Sequence, residues 1–151
     1  MGEISAVLAR LSGRRVYLDS NIFVYFLDRS PEHFPRVAPI FEAIERGAVV
    51  GLTGDVAVAE VMVKPYRSGD PALIADVKGF FGKASPIATL PHSAEDFDFA
   101  AQLRGKHGMK FIDALHLATA LGAGCSAFIT NDDGIGAPGG IEIVHLSGLT
   151  G

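Results

Sequence analysis

The sequence holds one cysteine, Cys125, so no disulfide can form within the chain and a reducing compartment is expected. It has no apolar run of membrane-spanning length, because a charge or a glycine interrupts each one, which argues against a transmembrane helix. It also lacks a basic excess: 13 Lys and Arg against 17 Asp and Glu leave a net charge of −4, with a pI of about 5.7. That balance excludes a protein that coats itself in nucleic acid by bulk electrostatics. Any RNA must be met by a local basic rim or by a bound metal. There is no Gly-x-Ser-x-Gly elbow for a serine nucleophile, and Cys125 reads as a small core residue before a strand. Gly122-Ala123-Gly124 follows a helix instead of opening one, so it is a helix stop and not a dinucleotide fingerprint. Positive charge does not lead the N-terminus. Glu3 precedes Arg10, Arg14 and Arg15, the reverse of a secretory signal, and a cytoplasmic location is expected.

What is present suits one compact domain. The 151 residues are 48% hydrophobic with a mean hydropathy of +0.30, enough for a sizeable core. Strands and helices alternate, which predicts an α/β domain with a mostly parallel sheet of about five strands. The predicted strands are Arg15–Leu18, Ala48–Leu52, Ile87–Leu90, Ala127–Ile129 and Ile141–Leu146. The predicted helices are Ser20–Asp28, Glu32–Arg46, one capped by Thr53 and ended near Pro65, Pro71–Lys83, Ala94–Lys106 capped by Ser93, and Phe111–Leu121. Residues 1–14 form an N-terminal extension with Ile4, Val7, Leu8 and Leu11 on one helical face, and 15–151 the domain itself.

Acids embedded in apolar surroundings are the informative feature. Asp19 lies between Val16-Tyr17-Leu18 and Ile22 to Leu27, Glu60 between Val56-Ala57-Val58-Ala59 and Val61-Met62-Val63, Asp113 within Phe111-Ile112 and Ala114-Leu115, and Asp132 just after Ala127 to Asn131. Burying a carboxylate without a partner is costly. Asp19 and Asp132 each follow a strand, which puts both on the carboxyl edge of a parallel sheet, where ligands bind. Helices could carry Glu60 and Asp113 to the same crevice. Like charges at ~4 Å repel by roughly 4 kcal/mol at an effective dielectric near 20. A hard divalent cation relieves that repulsion, and Mg²⁺ or Mn²⁺ suits an all-carboxylate set. Singly, each acid has a plainer reading: a helix N-cap for Asp19, an ion pair with Lys64 four residues on for Glu60, a first-turn acid for Asp113, turn chemistry for Asp132. The joint pattern carries the argument.

Tyr17-Leu18-Asp19-Ser20-Asn21, the isolated Glu60, Asp113-Ala114-Leu115-His116-Leu117-Ala118-Thr119-Ala120 and Thr130-Asn131-Asp132 together resemble the PIN domains, above all the toxins of VapBC toxin–antitoxin pairs. The likeness runs from Val16 to Leu146, and Asp113 to Ala120 is its most specific part. It implies a three-layer α/β/α fold, Mg²⁺- or Mn²⁺-dependent hydrolysis of RNA phosphodiesters, homodimers and a small cognate antitoxin. It carries the family's acidic quartet onto Asp19, Glu60, Asp113 and Asp132, as catalytic and metal-holding residues, and places Asn21 and Thr130 beside them as small polar groups. Alternatives are a PIN nuclease of RNA processing without an antitoxin, and a catalytically silent RNA-binding module. Four intact acids argue against the last.

The sequence departs from that pattern after Asp132, where Asp133 to Gly140 reads as a flexible glycine-rich loop, and in the long segment before Arg14. Asp133 is read as a turn residue. Candidates for holding the RNA backbone are Lys64, Arg67, Arg104, Lys106 and Lys110, with the last three ranked first because they cluster before Asp113. His116, three residues after Asp113, is read as packed or hydrogen-bonded in preference to a metal ligand, and His33, His92, His107 and His145 are assigned no role. Phe23, Tyr25, Phe26, Phe34 and Phe41 are assigned to the core first and to a dimer or antitoxin surface second.

Overall fold

The computed structural model describes residues 2–136 and 140–151; of the predicted glycine-rich loop, residues 137–139 lie outside the described part. In chain order the elements are α1 (Glu3–Arg10), β1 (Arg15–Leu18), α2 (Ser20–Leu27), α3 (Phe34–Glu45), β2 (Val50–Gly54), α4 (Asp55–Ser68), α5 (Pro71–Phe80), β3 (Ala88–Leu90), α6 (Ala94–His107), α7 (Phe111–Gly122), β4 (Ala127–Thr130) and β5 (Glu142–His145), followed by a short 3₁₀ turn, Leu146–Gly148. The strands form one all-parallel sheet in the order β3-β2-β1-β4-β5. Among the described residues no helix is long and apolar enough to cross a membrane.

Strand periodicity sorts the core into two. On β1, Val16 and Leu18 join a cluster with α1 to α5, while Tyr17 between them faces α6 and α7. On β4, Ala127 and Ile129 go with the first set and Phe128 with the second, stacked on Tyr17 at 5.2 Å. Helices therefore cover both faces, which makes a three-layer α/β/α sandwich and explains why the central strands are apolar on both sides. Phe23 and Phe41 are core residues as expected, in a set of edge-on rings completed by Phe80 and Phe81. Phe26 packs on Phe41 at 4.0 Å.

The sheet order sets the crevice. From β1 the chain moves outward to β2 and β3, then returns to add β4 and β5 on the other flank. The reversal falls between β1 and β4, and ligands bind outside the carboxyl ends of strands at such a switch.

Two expectations need correction. Thr53 is not a helix cap: it lies inside β2, fully buried, and its hydroxyl donates to the Leu18 carbonyl at 2.8 Å. Gly54 takes the N-cap position instead. Nor does Pro65 end α4. The helix carries it as a buried interior residue to Ser68 and stops at Gly69, whose φ of 69° a side chain would strain. Asp70 then caps α5 by accepting from the Ala72 N–H at 3.0 Å, with Pro71 in the first helical position. Ser93 and Asp96 form the reciprocal capping box of α6. In the extension, α1 is a helix with Ile4 and Leu8 buried, held to the C-terminal segment by a two-pronged Arg10–Glu142 ion pair at 2.5 and 2.7 Å.

Candidate active site

Asp19 is the first residue past β1. It caps α2, its Oδ1 accepting from the Ser20 N–H at 2.8 Å, and its side chain is buried. Its Oδ2 accepts from the Thr130 hydroxyl at 2.7 Å. The same Thr130 oxygen accepts from the Asp132 backbone N–H at 2.9 Å. One fully buried hydroxyl at the end of β4 thus ties the backbone of one acid to the side chain of another, with both its donor and its acceptor used. Asn21 serves the same junction by accepting from the Asn131 N–H at 3.3 Å, while the Asn131 amide donates to the Tyr25 hydroxyl at 3.0 Å.

Asp113 sits in the first turn of α7, 9% exposed, with its carboxyl group in the field of Asp132. Burial first, then the charges of Asp132 and Asp19, push the Asp113 pKa up to about 6. Asp19 is raised too, chiefly by burial, against the opposing pull of His116 and the Thr130 and Ser20 hydrogen bonds. Asp132 Oδ1 also accepts from the Gly134 N–H at 2.8 Å, the turn chemistry expected of this stretch. A side chain at position 134 would start 3.1 Å from that oxygen and 4.0 Å from Asp113 Oδ2, so the turn passes directly over the acid pair. Asp133 stays apart, its side chain in solvent and 4.0 Å from His145 Nδ1.

Glu60 comes from α4, one helix away. It does not pair with Lys64, whose amine crosses to Asp28 at 2.8 Å. Glu60 Oε1 lies 2.9 Å from His116 Nε2, and Asp19 Oδ1 lies 3.7 Å from the same nitrogen. Donor atoms of Asp19, Glu60 and His116 all fall within 4.8 Å of one another. His116 is fully buried, and its Nδ1 is 2.6 Å from the Tyr17 hydroxyl. A carboxylate can only accept, so Nε2 carries a proton toward Glu60, while Nδ1 meets the Tyr17 hydroxyl on the other side of the ring. The hydrogen-bonded reading of His116 therefore describes its contacts, but its place between two of the four acids was not anticipated.

A second histidine has a structural role that sequence reasoning left unassigned. His92 Nε2 accepts from the Val56 N–H at 3.0 Å, capping α4 where Gly54 offers no side chain, and its Nδ1 donates to Thr119 Oγ1 at 2.7 Å. Burial and nearby His116 lower its pKa. The spacing of the sequence carries no signal for this pair, since the contact joins residues 36 apart.

The cations predicted to hold RNA sit to one side. Arg104, Lys106 and Lys110 are exposed at the α6–α7 junction, with Arg104 Nε donating to the Met109 carbonyl at 3.3 Å. Lys64 is engaged with Asp28, as described, and Arg67 is exposed in the last turn of α4.

The four acids therefore fall into two touching groups, Asp113 with Asp132 and Asp19 with Glu60 through His116, joined by Thr130 and by the field of Asp19 on Asp113. This set fits a hard divalent cation. It is rich in carboxylate oxygen, and the repulsion that raises the Asp113 pKa is what a cation would relieve.

Comparison with known proteins agrees with this architecture. A sequence search of the curated proteins finds no match. Among solved structures, VapBC2 from Rickettsia felis bound to a DNA fragment from their promoter superposes with a TM-score of 0.69 at 15% identity, covering 87% of this chain and 98% of that one. VapC20 of Mycobacterium tuberculosis, described as a sarcin-ricin loop cleaving toxin, gives 0.67 at 13% identity, covering 85% and 98%. A toxin–antitoxin complex from Klebsiella pneumoniae gives 0.66 at 18% identity, covering 87% and 97%. Likeness at such identities speaks for the fold. The family model of the PIN domain matches residues 16–139, all four acids included, and the chain belongs to the PIN domain family.

Proposed function

We propose that the protein is a Mg²⁺- or Mn²⁺-dependent endoribonuclease and the toxin of a type II toxin–antitoxin pair, acting in the cytoplasm as a homodimer. What supports the reading is that Asp19 lies within reach of Glu60 through His116 and that Asp113 feels the charges of Asp132 and Asp19, which with burial push it up to about 6. A site that costs stability in this way is understandable if a cation offsets it.

In this reading Asp19, Asp113 and Asp132 hold the cation, with Glu60 beside them. A divalent cation supplies a lowered pKa for a water and offsets charge on the phosphate under attack. The protein's own groups do the rest. His116, fixed by Tyr17, holds the Glu60 carboxylate toward Asp19, where it can accept a proton from the attacking water. The water oxygen then bonds to phosphorus, the bond to the leaving ribose oxygen breaks, that oxygen takes a proton from solvent water, and Glu60 returns its proton to solvent. Thr130 keeps Asp19 and the Asp132 backbone at a fixed separation, and Arg104, Lys106 and Lys110 attract the RNA backbone.

The antitoxin is assigned to the groove between α2, α4 and α5, about 330 Å³, with Val24, Leu27, Val61, Leu73 and Phe80 along it. Glu60, Asp28 and Asp76 line it against the single Lys64, which suits an apolar segment carrying basic residues. Because Glu60 belongs to both groove and crevice, a segment seated there reaches the catalytic acids.

The test is cleavage of RNA by purified protein with Mg²⁺, Mn²⁺ or EDTA, alongside Asp113→Asn. Metal-dependent cleavage lost in the folded variant is expected. Cleavage that survives Asp113→Asn at full rate would end the assignment. Growth arrest on expression, relieved by the adjacent small gene, is expected of a toxin, whereas cleavage without arrest points to RNA processing.

A further inference from the structure

Phe97 and Phe111 are out of place in a chain that buries Phe23, Phe41 and Phe128: they are 46% and 43% exposed. Their rings lie nearly parallel, 23° apart with centroids at 6.4 Å. The Arg104 guanidinium stands 5.8 Å over the Phe111 ring, placed there by its bond to the Met109 carbonyl. On the other side the Phe97 ring meets the His92 imidazole edge-on at 6.3 Å, beside the N-terminus of α4. Phe111 opens the helix that carries Asp113 two residues later.

We propose that Phe97 and Phe111, on the face formed by α6 and the start of α7, form a stacking platform for an unpaired base of single-stranded RNA. The inference rests on the nuclease reading and names how its substrate is gripped. Two features favour RNA over a second protein surface as occupant. Arg104, Lys106 and Lys110 gather at the α6–α7 junction of a chain whose net charge is −4, and no acid pairs with them among the described residues. An arginine over an exposed ring gives both a cation for phosphate and a flat face for a base. Stacking is indifferent to base identity, so the platform would hold a strand without choosing its sequence.

The absence of tryptophan makes the test direct. Phe111→Trp and Phe97→Trp each introduce the sole indole of the full chain, read in EDTA so that nothing is cleaved. Quenching by a short single-stranded RNA, and not by an abasic strand of equal charge, is expected. Phe111→Ala and Phe97→Ala should weaken binding of the intact strand about 5- to 100-fold, with Phe111→Tyr retaining it and the abasic strand unaffected. In cleavage assays the alanine variants should raise KM and spare kcat. Equal response to intact and abasic strands overturns the platform. So does indole emission that shifts with protein concentration alone, which would mean that a second copy covers these rings. Base-dependent quenching from a protein that never cleaves RNA keeps the platform and removes the nuclease reading.

Discussion

Replacing Asp113 by asparagine should make the metal-free protein more stable while abolishing its cleavage activity. The carboxyl group ionises near 3.8 when unfolded and near 6 when folded. Between those values the folded chain binds the extra proton, so stability falls as pH rises through that window, and the full penalty stands above it. Two units of pKa correspond to about 3 kcal/mol; solvent at the crevice mouth screens part of this, leaving about 1–3 kcal/mol. Asparagine has the same shape, carries no charge, and can donate its amide to Asp132. For a domain of this size the gain corresponds to a melting temperature about 3–10 °C higher at pH 7.5. At pH 4 most of the gap should close, since the folded wild-type acid is then protonated and the unfolded one partly so. The assay is thermal melting monitored by circular dichroism in EDTA across pH 4 to 8, repeated with Mg²⁺. Saturating metal should raise the wild type by RT ln(1 + [L]/Kd), about 2.7 kcal/mol at one hundred times Kd, and the variant by less. An asparagine variant that melts at or below the wild type at pH 7.5 would refute the account of strain in the acid pair, as would a gap that persists unchanged at pH 4.

Thr130→Val keeps the shape of the β4 end but removes the hydroxyl that Asp19 and the Asp132 N–H share, so it should cost about 1–3 kcal/mol in melting and at least tenfold in kcat, with Thr130→Ser close to wild type. Tyr17→Phe leaves His116 Nδ1 without its partner in the dry core; a loss of about 1–3 kcal/mol in denaturant unfolding is expected, together with lower kcat at little changed KM if Glu60 needs an oriented imidazole. Gly54→Ala puts a methyl against the His92 ring and 2.6 Å from the Tyr17 hydroxyl, and should lower stability by about 1–3 kcal/mol, measurable as a reduced denaturation midpoint at unchanged slope. An unaltered midpoint would mean that this junction has slack the packing does not show. Phe41→Ala, in the ring cluster remote from the crevice, should cost about 3–5 kcal/mol without changing the metal requirement of whatever protein remains folded.

Much of this molecule is legible in its residue pattern, because strand and helix periods differ and each strand here is short, apolar and bounded. Arg15–Leu18 and Ser93 with Asp96 announce their elements through local chemistry alone, and the structure has them there. Thr53 and Pro65 misled for a shared reason: each is a good local punctuation mark, and each is overridden by burial, one as a strand residue bonded to Leu18 and the other inside a packed helix. The acids stood out because carboxylates are rare in apolar runs. Their partners did not. Tyr17, His92 and Thr119 are ordinary core-type residues in sequence, and their hydrogen bonds join segments that only the folded sheet brings together. Lys64 shows the same limit from the other side, since helical spacing offered Glu60 and the tertiary fold supplied Asp28.

The bare backbone at position 54 has a consequence for how this sequence can drift. The imidazole of His92 and the phenol of Tyr17 occupy the space a side chain there would need. Descendants that retain both rings are confined to glycine at that point, and a lineage that gains a larger residue must first surrender a ring, and with it either the cap of α4 or the anchor of His116. Three positions scattered along the chain should accordingly change together or not at all.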